Sequence, residues 1–130
     1  MDYLGKNMDD LIKKSKIFSY RYWNAITGKN FQIRGIGAEE WMSPGMVFRW
    51  HGTPDWMILF CTPGMAVQTG KGVRSVKEES VCIFAPGSKQ IYGNSNENWS
   101  HSWIHACGPV VDELIKKYAP AINSLIPLEQ

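Results

Sequence analysis

At 130 residues, with 44% apolar and 20% charged side chains, the chain has the make-up of one globular domain able to bury a core without disulfide staples. A net charge of +2 is too small to argue for nucleic acid or an acidic membrane as a direct partner. No apolar run approaches the roughly 20 residues of a spanning helix, and residues 1–16 mix acids and lysines where a secretory signal needs an apolar stretch, so a cytoplasmic protein is expected.

Asn7 can cap a helix over residues 8–16, with Asp9 and Asp10 in its first turn and Lys13, Lys14 and Lys16 toward its end. From Ile17 the composition turns β-branched and aromatic. Phe18–Ile26 and Phe31–Ile36 read as strands around the turn Thr27-Gly28-Lys29-Asn30. Gly35 and Gly37 suggest a bend or bulge. Glu39-Glu40 and Glu78-Glu79 read as solvated loop charges whose adjacent members diverge.

Turn signals then recur at short intervals. Ser43-Pro44-Gly45 precedes a strand from Met46 to His51. Gly52-Thr53-Pro54-Asp55 leads to an apolar strand from Trp56 to Cys61, and Pro63-Gly64 to a strand from Met65 to Thr69. Gly70-Lys71-Gly72 is a hairpin loop into Val73–Val76. Strands follow at Ser80–Ala85, Gln90–Tyr92 and Trp99–Ala106, separated by Pro86-Gly87 and by the polar loop from Gly93 to Asn98. Many short strands at this spacing argue for a β-sandwich or barrel. After Gly108-Pro109, Val110, Val111, Leu114, Ile115 and Tyr118 recur at helical spacing, with Pro120 as the stop. Ile122, Leu125 and Ile126 suggest one more short turn. The expected organisation is one domain over 1–130: an N-terminal arm and helix (1–25), a β-barrel (26–109) and a C-terminal helical segment (110–126).

The segment WSHSWIH, residues 99–105, carries the only pattern that looks like chemistry. In a strand, alternate side chains share a face. Trp99, His101, Trp103 and His105 therefore look one way, and Ser100, Ser102, Ile104 and Ala106 the other. Trp103 can fill the core, or lay its indole under the C–H face of a sugar ring while His101 bonds a hydroxyl. Arg49, between Phe48 and Trp50, is either a rim arginine or a ligand clamp with a fixed fork of donors. Tyr92 follows the Pro-Gly turn and can bring its hydroxyl to the same mouth. Trp50 and Met57 are weaker candidates. His105 reads as structural and His51 as exposed. Cys61, Cys82 and Cys107 are odd in number, without C-x-x-C pairing, and read as buried thiols acting as small hydrophobes. Of the six tryptophans, some are expected to fill the core and some to line a cavity or contact surface.

Phe48-Arg49 followed by Gly52, the strand Trp56–Cys61, Val81-Cys82-Ile83-Phe84 running into Ala85-Pro86-Gly87, Tyr92-Gly93, and W-x-H-x-W-x-H-x-x-G from Trp99 to Gly108 together resemble the N-terminal sensing domain of AraC-type transcriptional regulators. The resemblance implies a mainly β fold, a cupin double-stranded β-helix (jelly-roll barrel) with a short helix at each end. It implies sugar contacts at Arg49, Tyr92, His101 and Trp103, no catalysis, and dimerisation through helices after the barrel. The helix at 110–118 can serve that contact or pack on its own barrel. The family's DNA-binding helix-turn-helix units are not recognisable in this chain, so DNA would be reached only through a separate domain.

Many cupins bind metal through H-x-H and a histidine after the Pro-Gly turn. Here Phe60-Cys61-Thr62 and Gln90 stand in those places. His101 and His105 lie about 13 Å apart along a strand, too far to converge on one ion. Neither metal nor other cofactor is expected. The function implied is binding of a small polar effector, a sugar or sugar acid, in an open hollow over Trp103, shifting the arrangement of residues 1–25 or of the C-terminal helix. The rivals are a small metal-independent cupin enzyme such as a sugar isomerase, which needs an acid and a base beside Trp103, and a dimerisation module with a filled barrel.

Overall fold

The computed structural model describes residues 20–26 and 28–128. The helix expected at 8–16, the start of the first strand and most of the N-terminal arm lie outside the described residues. Among the described residues, ten strands and one helix follow in order: β1 (Tyr20–Ile26), β2 (Gln32–Met42), β3 (Gly45–Arg49), β4 (Trp56–Cys61), β5 (Ala66–Thr69), β6 (Gly72–Ser75), β7 (Ser80–Phe84), β8 (Gln90–Asn94), β9 (Trp99–Cys107), α1 (Pro109–Tyr118) and β10 (Leu125–Pro127).

They form two antiparallel sheets, ordered β1-β2-β9-β4-β7-β10 and β3-β8-β5-β6. Strands β2 to β9 therefore divide between the sheets as 2-9-4-7 and 3-8-5-6, the strand order of a jelly roll. β1 and β10 extend the first sheet at its two edges. Between the sheets lie Val47, Met57, Leu59, Val67, Cys82, Phe84, Tyr92, Trp99 and Trp103, all buried.

Two expectations are corrected. The strand placed at Phe31–Ile36 continues to Met42 as β2. Its pairing with β9 slips between Ile33 and Gly35 and again between Gly37 and Glu40, so the glycines do mark bulges. The second slip surrounds Glu39, which has a left-handed φ of 48°. One extra residue there changes which positions face inward, from Gly35 and Gly37 to Glu40 and Met42. Glu40 is therefore buried within β2, not a solvated loop charge, while Glu39 stays exposed.

The second correction concerns the segment expected to be helical over 110–126. Helix α1 ends at Tyr118, where Ala119 turns left-handed and its N–H bonds Ile115 O at 2.8 Å. Leu125–Pro127 then pairs with Ser80–Cys82 of β7 as a strand. The apolar spacing of Ile122, Leu125 and Ile126 was too short to separate a turn of helix from an edge strand.

Helix α1 is preceded by Gly108 with φ 112°, where a Cβ would press on the Asn30 carbonyl. It lies on its own barrel: Val111 is buried, and the Trp56 indole N–H donates to Asp112 Oδ1 at 2.9 Å. Val110, Leu114 and Tyr118 are exposed. Ala106, expected on the outer face of β9, is buried as well; it lies beside Trp56 in the strand pairing, at the end of β9 nearest the helix.

Candidate functional site

The alternation along β9 is regular. Trp99, His101, Trp103 and His105 are buried and face the other sheet, while Ser100, Ser102 and Ile104 are half-buried on the outside. Tyr92 and Gln90 approach from β8, two residues apart on one face, and Arg49 lies opposite Gln90 on β3. Arg49 Nη1 donates to Tyr92 Oη at 3.0 Å and to Gln90 Oε1 at 3.1 Å. Gln90 Nε2 in turn donates to Thr53 Oγ1 at 3.2 Å. Gln90, in the place where metal-binding cupins carry a histidine, is thus a spacer between Arg49 and the Thr53 loop.

The Tyr92 ring meets His101 at 5.7 Å between centroids and Trp99 edge-on at 6.0 Å; Trp99 and His101 are 4.7 Å apart. Burial pushes the Tyr92 phenol up, Arg49 opposes this by its charge and hydrogen bond, and the Glu40 and Cys61 charges reinforce it. Tyr92 is therefore a neutral phenol in the folded protein.

His101 is 2% exposed and neither ring nitrogen has a hydrogen-bond partner. Burial pushes its pKa down to about 3; the Arg49 charge acts in the same direction, and the Glu40 backbone, near but outside hydrogen-bond geometry, opposes them. The ring is thus a neutral imidazole, one nitrogen a donor and the other an acceptor. Buried polar atoms are nearly always paired, so two open positions on one ring are the site's main anomaly.

Trp103 packs against Gly37, where any Cβ would collide with the indole Nε1 edge. Its Nε1–H donates to Glu40 Oε2 at 3.3 Å. Glu40 stands directly across the strand pair from His101 and is itself 2% exposed. It is the site residue that sequence reading missed. The signal was present in Gly35-Ile36-Gly37, since a bulge beside adjacent acids can turn one of them inward.

His105 meets Trp103 edge-on, with ring centroids 5.4 Å apart, and bonds to a different carboxylate. Its Nδ1 is 2.8 Å from Asp55 Oδ1, and Asp55 Oδ2 lies 3.6 Å from Arg34. Burial raises the Asp55 pKa, but the His105 hydrogen bond and charge, with Thr53 and Arg34, outweigh it and hold the carboxyl below its ordinary range. This fits the structural role expected for His105. His51 is exposed, as expected, and the weaker candidates separate: Met57 is wholly buried, Trp50 is 63% exposed.

Arg49, Tyr92, His101 and Glu40–Trp103 thus form a cluster inside the barrel. The open hollow expected over Trp103 is closed in this structure: Tyr92, His101 and Trp103 are each at most 2% exposed, so a water-sized sphere reaches almost none of their surface. A surface cavity of about 550 Å³ lies against the six-stranded sheet, beside Glu39, Trp41, Phe60, Ser100 and Ser102, with His101 also in its lining. Among the described residues, no helix is long and apolar enough to cross a membrane.

No known family model matches the chain, and no curated protein matches it. Among solved structures it is similar to a cupin 2 conserved barrel domain protein from Salinispora arenicola CNS-205, with 19% identity over 76% of this chain and 82% of that one and a TM-score of 0.47. It is similar also to a cupin-like protein from Thermotoga maritima MSB8, with 24% identity over 76% of this chain and 81% of that one and the same TM-score. The division of β2 to β9 between two sheets, ordered 2-9-4-7 and 3-8-5-6, is what makes this chain a jelly-roll barrel.

Proposed function

We propose that this barrel is the effector-sensing half of an AraC-type transcription regulator, a non-catalytic cytoplasmic domain that binds a small polyhydroxylated ligand between its sheets and reaches DNA only through a separate domain. The observation that carries the reading is His101, a buried neutral imidazole with both ring nitrogens open, set among a phenol, a guanidinium and a carboxylate. A sugar hydroxyl both donates and accepts, and so suits both nitrogens. Arg49, half-buried at the rim, can exchange its bonds to Gln90 and Tyr92 for bonds to a ligand, which opens the way to Trp103. The ligand then shifts the population toward the opened barrel, by no more than its difference in affinity for the two states.

A thermal-shift screen of monosaccharides on the wild type and on Trp103→Ala tests this. Free ligand at a hundred times its dissociation constant adds about 2.7 kcal/mol of apparent stability. A sugar that stabilises the wild type and not the variant supports the reading, and a full panel without any shift refutes it. A second reading, an acid–base enzyme acting on a sugar, is favoured by one observation, the buried Glu40 opposite His101. Turnover of a bound sugar would decide for it.

A further inference from the structure

The surface cavity of about 550 Å³ against the six-stranded sheet is not used by the effector reading. It is built on β9 and the strands beside it. Trp41 of β2 pairs with Ser100, and Phe60 of β4 pairs with Ser102, so two aromatic side chains flank two hydroxyls. Trp41 is 41% exposed and Phe60 37%. Glu39 and Glu79 belong to the same lining. Glu39 sits in the bulge of β2, where its N–H donates to Ser102 Oγ at 2.9 Å. Glu79 directly precedes β7, on the far side of β4. Both glutamates are exposed, and among the described residues neither has an ion-pair partner. No described lysine or arginine lines the cavity. The one histidine in the lining, His101, is neutral, 2% exposed and unpartnered at both ring nitrogens. The cavity is therefore anionic and aromatic, in a chain whose net charge is +2.

We propose that this cavity binds a linear aliphatic diamine, at a site separate from the effector site inside the barrel. Strands β2 and β7 are three strand spacings apart, about 14 Å. Two charge-assisted hydrogen bonds of about 2.8 Å and the inward lean of two flexible glutamates take up part of that span. The remainder suits two ammonium groups joined by a short methylene chain. The methylenes lie against Trp41 and Phe60, whose ring faces also attract the ammonium groups. The Ser100 hydroxyl, between the rings, accepts a further N–H. A monoamine answers one carboxylate only, a diol answers neither charge, and an anion is repelled by both.

The test is calorimetric titration of the full chain with putrescine, butylamine and butanediol, on wild type, Glu39→Gln, Glu79→Gln and Glu113→Gln. Glu113 is an exposed carboxylate of α1 outside the cavity lining. The expected result for the wild type is putrescine bound at least about tenfold tighter than butylamine, with no measurable binding of butanediol. Glu39→Gln and Glu79→Gln should each weaken putrescine about tenfold or more, to the level of butylamine, while Glu113→Gln leaves it unchanged. The substituted side chains are exposed, so the denaturation midpoint should hold. If it does not, Trp41→Ala carries the test, and unchanged putrescine affinity there overturns the proposal. A wild type that does not bind putrescine, or binds butylamine equally well, overturns it too. So does binding that survives both glutamine substitutions, or that weakens as much in Glu113→Gln. None of these results alters the sugar screen, which reads the interior of the barrel.

Discussion

His101 and Asp55 both make stability fall on the acid side, over different pH windows. The folded-state pKa of His101 lies near 3, below the ordinary histidine value. Between those values the unfolded chain binds the proton and the folded chain does not, so stability falls as pH drops through that window and levels off below about 3. The limiting slope is about 1.4 kcal/mol per pH unit. Urea unfolding of His101→Gln from about pH 7 to pH 4 should show a flatter decline than the wild type; parallel curves would mean that the ring reaches water. Asp55, with its pKa depressed, stabilises the fold above the ordinary carboxylate range, and that contribution is lost as pH falls through its folded value. Asp55→Asn should cost about 1–3 kcal/mol at neutral pH by leaving His105 and Arg34 without their anion, and the difference should shrink below about pH 4. Gly37 tests the seat of Trp103. Alanine there places a methyl against the indole, so Gly37→Ala should cost about 1–3 kcal/mol and change the Trp103 fluorescence environment. An unchanged denaturation midpoint would show that the indole has room to move.

At the scale of elements, α1 presents a divided apolar stripe. Val111 is buried against the barrel, whereas Val110, Leu114 and Tyr118 face solvent. Val111→Ala should therefore destabilise the domain by about 1–2 kcal/mol, and Leu114→Ala should stay within about 0.5 kcal/mol in dilute solution. Denaturation at two protein concentrations separates the cases: a concentration-dependent loss in Leu114→Ala would place that face in a dimer. Strand β10 shows why the C-terminal segment was misread. Its apolar residues satisfy either period over so short a span, and the decision came from β7, whose free edge accepts Leu125–Pro127. The contrast with β9 is instructive. Seven residues of uninterrupted alternation from Trp99 to His105 placed Trp99, His101, Trp103 and His105 on the inner face from sequence alone, whereas the one-residue bulge at Glu39 hid Glu40.

For the molecule as a whole, closure of the two sheets explains the silence of the cysteines. The Cys61 and Cys82 thiols are enclosed, and burial pushes both up to about 12, with Cys82 adding to the effect on Cys61. Cys107 is half-buried, its Sγ 3.6 Å from Gln32 Oε1. Because the thiolate is the nucleophile, a thiol reagent at pH 8 should modify Cys107 alone in the native protein and all three cysteines once it is unfolded. Rapid native labelling of Cys61 or Cys82 would show that the sheets part readily, as admission of a ligand to the barrel requires.

The succession of short strands, their turns and the inward face of β9 could be read from residue order, because strand periodicity and turn chemistry are local properties; the grouping of Arg49 with Tyr92 and His101 was implied by the family resemblance. The inward turn of Glu40, the role of Gln90 as a link between Arg49 and Thr53, the pairing of Asp55 with His105 and the closed state of the barrel could not. Each depends on which strand lies beside which and on how one bulge shifts a register. Those are contacts between residues distant in the chain, settled only when the two sheets pack.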